Sequence, residues 1–433
     1  MNRKTVVAWL FPLLLAVPTA HAATLTADQA VQIALRQSTQ SVQAEASMLD
    51  ARSGLWSAYS NVLPRVSADA SRSGGETRES SSGRSNDRGY SGSYGVSGSW
   101  GVLDLSNWAS VNSARRGASA AKYGRAATRA QIVLDTKRQF YEVVKAMHLS
   151  RVSSQALKLS RDDERRVRAL YEVGSVSKSD LLKARVRTAQ SELDSLIADH
   201  NVTAQRVRLA TQLGMGETAL GEVDSTLQAS KIVVDAAAVA AEARTRRPDV
   251  KAAEAEYASA EWRLRSAQIS RLPGISLTAG YKPKSVSSFA YDFEGVTTSG
   301  SSWAKGDRSG RISASMPIFD LATESRVASA RASAMRARET RDAILRNLDS
   351  EVRITLLGYQ EATERESLAR RTLESASENL NLVQQKYNVG SATILDLIDS
   401  QVQLQRAQSD LVSAMAAIRV AEAELDQVRG RSE

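Results

Sequence analysis

Tyr90-Ser91-Gly92-Ser93-Tyr94-Gly95-Val96-Ser97-Gly98-Ser99-Trp100-Gly101-Val102 alternates with a period of two. Tyr90, Tyr94, Val96, Trp100 and Val102 fall on one side, and Ser91, Ser93, Gly95, Ser97 and Ser99 on the other. Successive side chains of a β-strand point to opposite faces, so one face is apolar and the other small and polar. Upstream, Val66-Ser67-Ala68-Asp69-Ala70-Ser71 alternates more weakly, with Asp69 suited to a wet face. Between the two, Arg72 to Arg88 is almost wholly Ser, Gly, Arg, Glu and Asp, and reads as a solvated loop. The pattern recurs later. Ile275, Leu277, Ala279 and Tyr281 alternate with Ser276, Thr278, Gly280 and Lys282. After an expected loop carrying Phe289, Tyr291, Phe293 and Trp303, residues Ile312, Ala314, Met316 and Ile318 alternate with Arg311, Ser313 and Ser315. The reading is two hairpins, about 64–103 and about 273–319, with roughly ten residues a side.

Two isolated hairpins are unstable in water. Apolar residues on one face, polar residues on the other and aromatics near the ends fit strands of a membrane barrel. Four strands cannot close a barrel, and an open edge cannot face lipid. Copies of the chain must therefore combine. Two copies give a barrel filled by side chains, and three give one with a lumen; the strands alone leave both open.

The rest of the chain is helical and duplicated. Tyr171-Glu172-Val173-Gly174-Ser175, followed by Asp180-Leu181, returns 216 residues later as Tyr387-Asn388-Val389-Gly390-Ser391 and Asp396-Leu397. Leu63-Pro64 returns as Leu272-Pro273. The period is too long for a solenoid unit, so it marks a duplicated half-structure. The first repeat, 23–213, holds a long helix at 106–172 and a return helix at 178–213. A linker at 214–247 follows. The second repeat, 248–433, holds a long helix at 321–388 and a return helix at 394–428. No proline interrupts either long helix, and at ~1.5 Å per residue each reaches about 100 Å. Leu345, Leu348, Val352 and Tyr359, and later Leu373, Leu380, Val383 and Tyr387, step within each run by threes, fours and sevens, as a coiled-coil seam does. Helices of this length favour the larger, hollow assembly, because only a hollow cylinder has an evident use so far beyond a membrane. The fold class is thus mainly α, a long coiled-coil part with four β-strands per chain.

Residues 1–22 read as a secretory signal peptide: Arg3 and Lys4, then an apolar run, then Ala20-His21-Ala22. No later segment has the roughly 20 apolar residues of a membrane-spanning helix. The chain has no cysteine, so it is held by packing alone. The net charge of +9 is spread over mixed surfaces, which argues against nucleic acid as a partner. No enzyme signature stands out: His148 and His200 are isolated, no metal-ligand spacing occurs, and Gly214-x-Gly216 lacks the context of a nucleotide loop. No cofactor is expected.

The chain resembles the TolC family of outer-membrane export channels. The resemblance rests on Leu25-Thr26-x-x-x-Ala30-Val31-x-x-Ala34-Leu35, on Leu63-Pro64 and Leu272-Pro273 entering the strands, on Val102-Leu103-Asp104 and Pro317-Ile318-Phe319-Asp320 leaving them, and on the two Tyr-x-Val-Gly turns. It implies a homotrimer with a 12-stranded barrel in the outer membrane of a Gram-negative cell, its helices extending into the periplasm. It also implies a periplasmic adaptor and an inner-membrane pump of RND or ABC type. A passive exit duct for efflux or type I secretion is the implied function. The rival reading is a periplasmic coiled-coil adaptor or scaffold without a barrel.

The resemblance assigns residues as well. Asp396 and Asp399, three apart, would form a pore ring that selects cations, and crowding would raise their pKa values. Asp180 and Tyr387 would be gate contacts. Family members often carry an arginine two residues after the second turn glycine; here Ala392 stands there, so the expectation is a channel that closes less tightly or by other contacts. Val173, Gly174, Ser175, Val389, Gly390 and Ser391 would present the turns to the adaptor. Tyr90, Tyr94, Trp100 and Tyr281 are membrane-interface aromatics. Trp56, Trp108 and Trp262 are expected to pack between helices.

Overall fold

The computed structural model describes residues 24–79, 85–216, 220–227, 235–293 and 296–431. The expected signal peptide lies outside the described residues. The chain forms two compact units. One unit comprises Met1–Ser38, Asp135–Lys231 and Glu361–Ala423; the other comprises Thr39–Leu134, Ile232–Gln360 and Glu424–Glu433.

Twelve elements follow in order among the described residues: α1 (Ala27–Gln37), α2 (Thr39–Ser60), β1 (Arg65–Glu79), β2 (Ser85–Leu103), α3 (Leu105–Glu172), α4 (Lys178–Leu213), α5 (Ala236–Arg246), α6 (Pro248–Ile269), β3 (Gly274–Phe293), β4 (Val296–Ser315), α7 (Leu321–Asn388) and α8 (Ile394–Val428). The two long helices run 68 residues each, as their proline-free, Ala- and Arg-rich composition dictates.

The second unit carries the sheet, antiparallel throughout, in the order β1-β2-β3-β4. Toward the hairpin tips the strands run longer than their sequence pattern shows, while β4 ends at Ser315, short of the expected Met316 and Ile318. The stretch expected to be a loop from Arg72 is strand through Glu79, pairing with β2 to its first residue, Ser85. Phe289, Tyr291 and Phe293 fall within β3 and Trp303 within β4. The reason is that one face of this sheet is built from hydroxyls. Ser67 pairs with Ser97 at 3.0 Å, Ser71 with Ser93 at 2.9 Å and Ser73 with Ser91 at 2.6 Å, so polar residues there bridge strands as well as apolar ones do.

Carboxylates cap the helices that leave the sheet. Asp104 accepts from the backbone N–H groups of Ser106 and Asn107, and Asp320 from that of Ala322. Hydroxyls also bring α3 and α6 close: Ser113 donates to the Ser259 carbonyl at 2.9 Å, and Ser259 returns the bond to the Ser113 carbonyl at 3.0 Å. The unit's apolar core gathers Val239, Ala243, Val250, Leu348, Val352, Leu356, Leu425 and Val428.

In the first unit, α1 starts on a capping box, with Thr26 and Gln29 each bonding the other's backbone. Leu181, Ala184, Thr188, Ser191 and Ser195 form the buried stripe of α4, spaced by threes and fours. Small residues on that stripe let helices approach closely: the hydroxyls of Ser160 and Ser191 meet at 2.9 Å. Near the turns the seam becomes apolar, with Val167, Leu181, Ala184, Ile394 and Leu397 buried together.

Candidate functional site: a two-faced sheet and two helical turns

The register fixes the faces of the sheet. Val66, Ala68 and Ala70 lie opposite Gly98, Val96 and Tyr94, while Ser67, Asp69 and Ser71 lie opposite Ser97, Gly95 and Ser93. On β3, Leu277 faces Trp100 and Tyr281 faces Val96. A register shift between Tyr94 and Val96 then reverses the β3 parity, a bulge that period-two reading cannot see. The four expected interface aromatics, Tyr90, Tyr94, Trp100 and Tyr281, share the apolar face and are all exposed. The Trp100 indole N–H donates to the Val62 carbonyl at 2.9 Å. The opposite face is concave. It encloses a hollow of about 390 Å³ lined by residues of all four strands, including Ser67, Asp69, Ser97, Thr278, Lys282 and Asp307. Trp56 and Trp108, expected to pack between helices, are largely exposed instead, and Arg265 lies 4.7 Å from the Trp262 ring.

The two turns, both in the first unit, are built alike. Gly174 and Gly390 adopt φ of 75° and 78°, a left-handed conformation that glycine enters without strain. Each helix closes with a matching pair of bonds. Gly174 and Ser175 donate to the carbonyls of Tyr171 and Leu170, and Gly390 and Ser391 to those of Tyr387 and Lys386. The return helix then opens on a hydroxyl cap: Asp180 N–H donates to Ser177 Oγ at 3.1 Å, and Asp396 N–H to Thr393 Oγ1 at 3.2 Å. Each cap hydroxyl donates back to the same aspartate, at 2.8 Å and 2.7 Å. Val173 and Val389, at the apices, are 75% and 79% exposed, which leaves an apolar side chain in solvent at each turn.

Electrostatics separate the turns. Asp180 is held below the usual carboxylate range by the Ser177 hydroxyl first and by the Lys183 ammonium, 3.2 Å away. Asp396 is held below it by the Thr393 hydroxyl and amide. Within one chain, therefore, capping lowers Asp396, opposite to the rise expected from crowding. Asp399, one turn on, is exposed and accepts from Gln403 at 2.8 Å.

Within one chain the two expected gate residues, Asp180 and Tyr387, have different hydrogen-bond and packing partners. Asp180 bonds Ser177 and Lys183, while Tyr387 packs half-buried on the apolar cluster below the turns. Burial pushes its hydroxyl up, and the Asp163 and Asp180 carboxylates add to that. Sequence reading misses Asp163. Its carboxylate accepts from Gln401 of α8 and lies largely out of water, and burial pushes its carboxyl up. The available signal is spacing: Ser160, Asp163 and Val167 continue the buried stripe of α3, so an acid falls where a core residue belongs. A second polar contact joins α8 to α4, from Arg187 to Gln405 at 2.9 Å.

Among the described residues no group of His, Cys, Asp and Glu is arranged to hold a metal, and no helix is long and apolar enough to cross a membrane. The comparisons with known proteins agree with the duplicated architecture. The outer membrane efflux protein family matches residues 22–215 and 239–431, one match to each half. The chain is 25% identical over 273 residues to nodulation protein T of Rhizobium leguminosarum bv. trifolii. That alignment covers 61% of this chain and 55% of that protein, so the chain spans about half the length of the curated relative it matches. Its fold is similar to that of the CmeC outer membrane channel of Campylobacter jejuni (TM-score 0.79, 17% identity, 94% of this chain and 86% of that one). It is similar also to the outer membrane protein VceC of Vibrio cholerae (TM-score 0.76, 19% identity, 93% of this chain and 96% of that one). A third similar fold is the open state of the MtrE outer membrane channel of Neisseria gonorrhoeae (TM-score 0.75, 18% identity, 93% and 88%). Two matched halves, four curled strands and two capped turns converge on one conclusion: the chain belongs to the outer membrane efflux protein family.

Proposed function

We propose that this protein is the trimeric exit duct of a tripartite efflux or secretion system, a passive conduit whose energy comes from an inner-membrane pump. One observation carries the reading. The four-stranded sheet has a concave polar face, an exposed apolar face, and edges at β1 and β4 that no described strand covers. An open edge is not tolerated against lipid. Pairing β4 of one copy with β1 of the next removes both edges, and three copies enclose a lumen lined by the serine face. The helices support the same closure. Exposed apolar side chains remain on α4, at Leu182, Val186, Leu193, Leu196 and Ile197, and on α7, at Leu368 and Leu382. Such stripes want the neighbouring copy.

In this reading Asp396 and Asp399 form the acidic ring at the periplasmic tip, and Asp180 and Tyr387, joined by Asp163, hold the tip closed. The exposed Val173 and Val389, with Gly174, Ser175, Gly390 and Ser391, present the turns to a periplasmic adaptor. The test is fractionation followed by mass determination. An outer-membrane, heat-modifiable trimer is expected; a soluble periplasmic monomer would overturn the reading.

A further inference from the structure

Among the described side chains, the apolar face of the sheet carries two charges that its role against acyl chains does not explain. Arg72 lies opposite Gly92, on the same face as Tyr90, and its guanidinium is 5.8 Å from the centre of the Tyr90 ring. Arg308 lies opposite Tyr281, and its guanidinium is 5.6 Å from that ring. Both arginines are exposed, and among the described side chains neither meets a carboxylate. The opposite face differs, mixing Asp69 and Asp307 with Lys282 and Arg311. A bare cation on the lipid face costs about 2–4 kcal/mol at mid-membrane, falling toward the rim. Stacking on an aromatic face offsets only part of that.

The height of the rungs matters. Trp100, tied to the Val62 carbonyl, marks the end of the strands next to the helices. Tyr90 lies ten residues further along β2. At ~3.3 Å per residue and a tilt of about 40°, that is roughly 25 Å of height, the full apolar band. The Arg72–Tyr90 rung therefore stands at the outer rim. The Arg308–Tyr281 rung stands opposite Val96, four residues along β2 from Trp100, which is roughly 10 Å of height and inside the band.

We propose that Arg72, stacked on Tyr90, binds a phosphate group of a phosphorylated glycolipid in the outer leaflet. The guanidinium fork bonds two phosphate oxygens, and the tyrosine ring holds the fork flat against the barrel. The inference rests on the barrel reading above.

The experiment uses the full-length trimer in detergent. Native mass spectrometry compares lipid A bearing both phosphates with the same lipid dephosphorylated. The wild type is expected to retain the phosphorylated form about tenfold more, the size of one charge-assisted hydrogen bond. Excess inorganic phosphate should leave it bound, since the acyl chains lie against the same face. Arg72→Ala should lose the preference, Arg72→Lys should keep part of it, and Arg308→Ala should leave it unchanged. Equal retention of both lipids by the wild type overturns the proposal, as does an Arg72→Ala variant that still discriminates. If the Arg72→Ala variant fails to assemble, the wild-type comparison and the weakened lysine variant decide. A chain that never forms trimers defeats the barrel reading itself, and it is detected before any lipid is added.

Discussion

The two helical turns share a backbone and differ in charge. Gly174 and Gly390 close their helices with the same bonds, and Ser177 and Thr393 cap the next helices on Asp180 and Asp396 in the same way. Leu181 and Leu397 fill the same buried place. The offset of 216 residues that aligns all of these sets Lys183 against Asp399. Lys183 neutralises Asp180 in the first turn, and Asp399 doubles the negative charge in the second. Duplication thus keeps what folds a turn, and the solvent-facing positions are free to diverge.

The largest expected effect tests the shared part. Leu181→Ala and Leu397→Ala each open a cavity in the same cluster, and each should destabilise the tip by about 3 kcal/mol. Hydrogen exchange of the turn amides reads this directly. A large cost at only one site would break the equivalence.

Next come the glycines. A Cβ at Gly174 or Gly390 meets no neighbouring atom within 4 Å, so Gly174→Ala and Gly390→Ala cost backbone strain alone, about 1–2 kcal/mol in either turn. Thermal unfolding of the two variants should agree.

The charge difference is tested by exchange. Asp399→Lys gives the second turn the pattern of the first, and should lower the cation preference of single channels in planar bilayers. Lys183→Asp, which gives the first turn the pattern of the second, should raise it or leave it unchanged, according to whether that turn lines the pore. Unaltered selectivity in Asp399→Lys would remove the acid from the conducting path.

The smallest effects concern pH. The folded-state pKa of Asp180 and Asp396 is lowered, so their stabilisation is present above the unfolded value near 4 and is lost only as pH falls through the lower folded values. Asp163 has the opposite sign. Its folded-state pKa is raised, so the tip should tighten as pH falls through that raised value, while the caps still hold. Asp163→Asn should abolish this tightening. Hydrogen exchange at the tip between about pH 7 and 5, corrected for intrinsic rates, measures it, and an unchanged pH dependence in the variant would assign the effect elsewhere.

Legibility in the sequence follows the strength of each local rule. The turns are readable because glycine in the left-handed region and a hydroxyl cap are local requirements. The long helices are readable because nothing in them breaks a helix. The strands read too short, since Ser73, Gly74 and Gly75 look like loop until their partners Ser91, Tyr90 and Gly89 are known. The bulge at Tyr94 and Val96 is invisible, because only the neighbouring strand defines a register. Asp163 and Gln401 are 238 residues apart, and no local pattern announces their pairing.

By itself, then, the sequence determined the duplication, the helix lengths, the turns and the faces of the strands as far as the bulge. All of these depend on neighbours within a few residues or on a repeated pattern. Only the tertiary structure decided which face of the sheet is concave, how far the strands run, and which buried polar groups join α3 to α8. Those depend on long-range pairing, where a residue's meaning is set by a partner that the chain must fold to bring near.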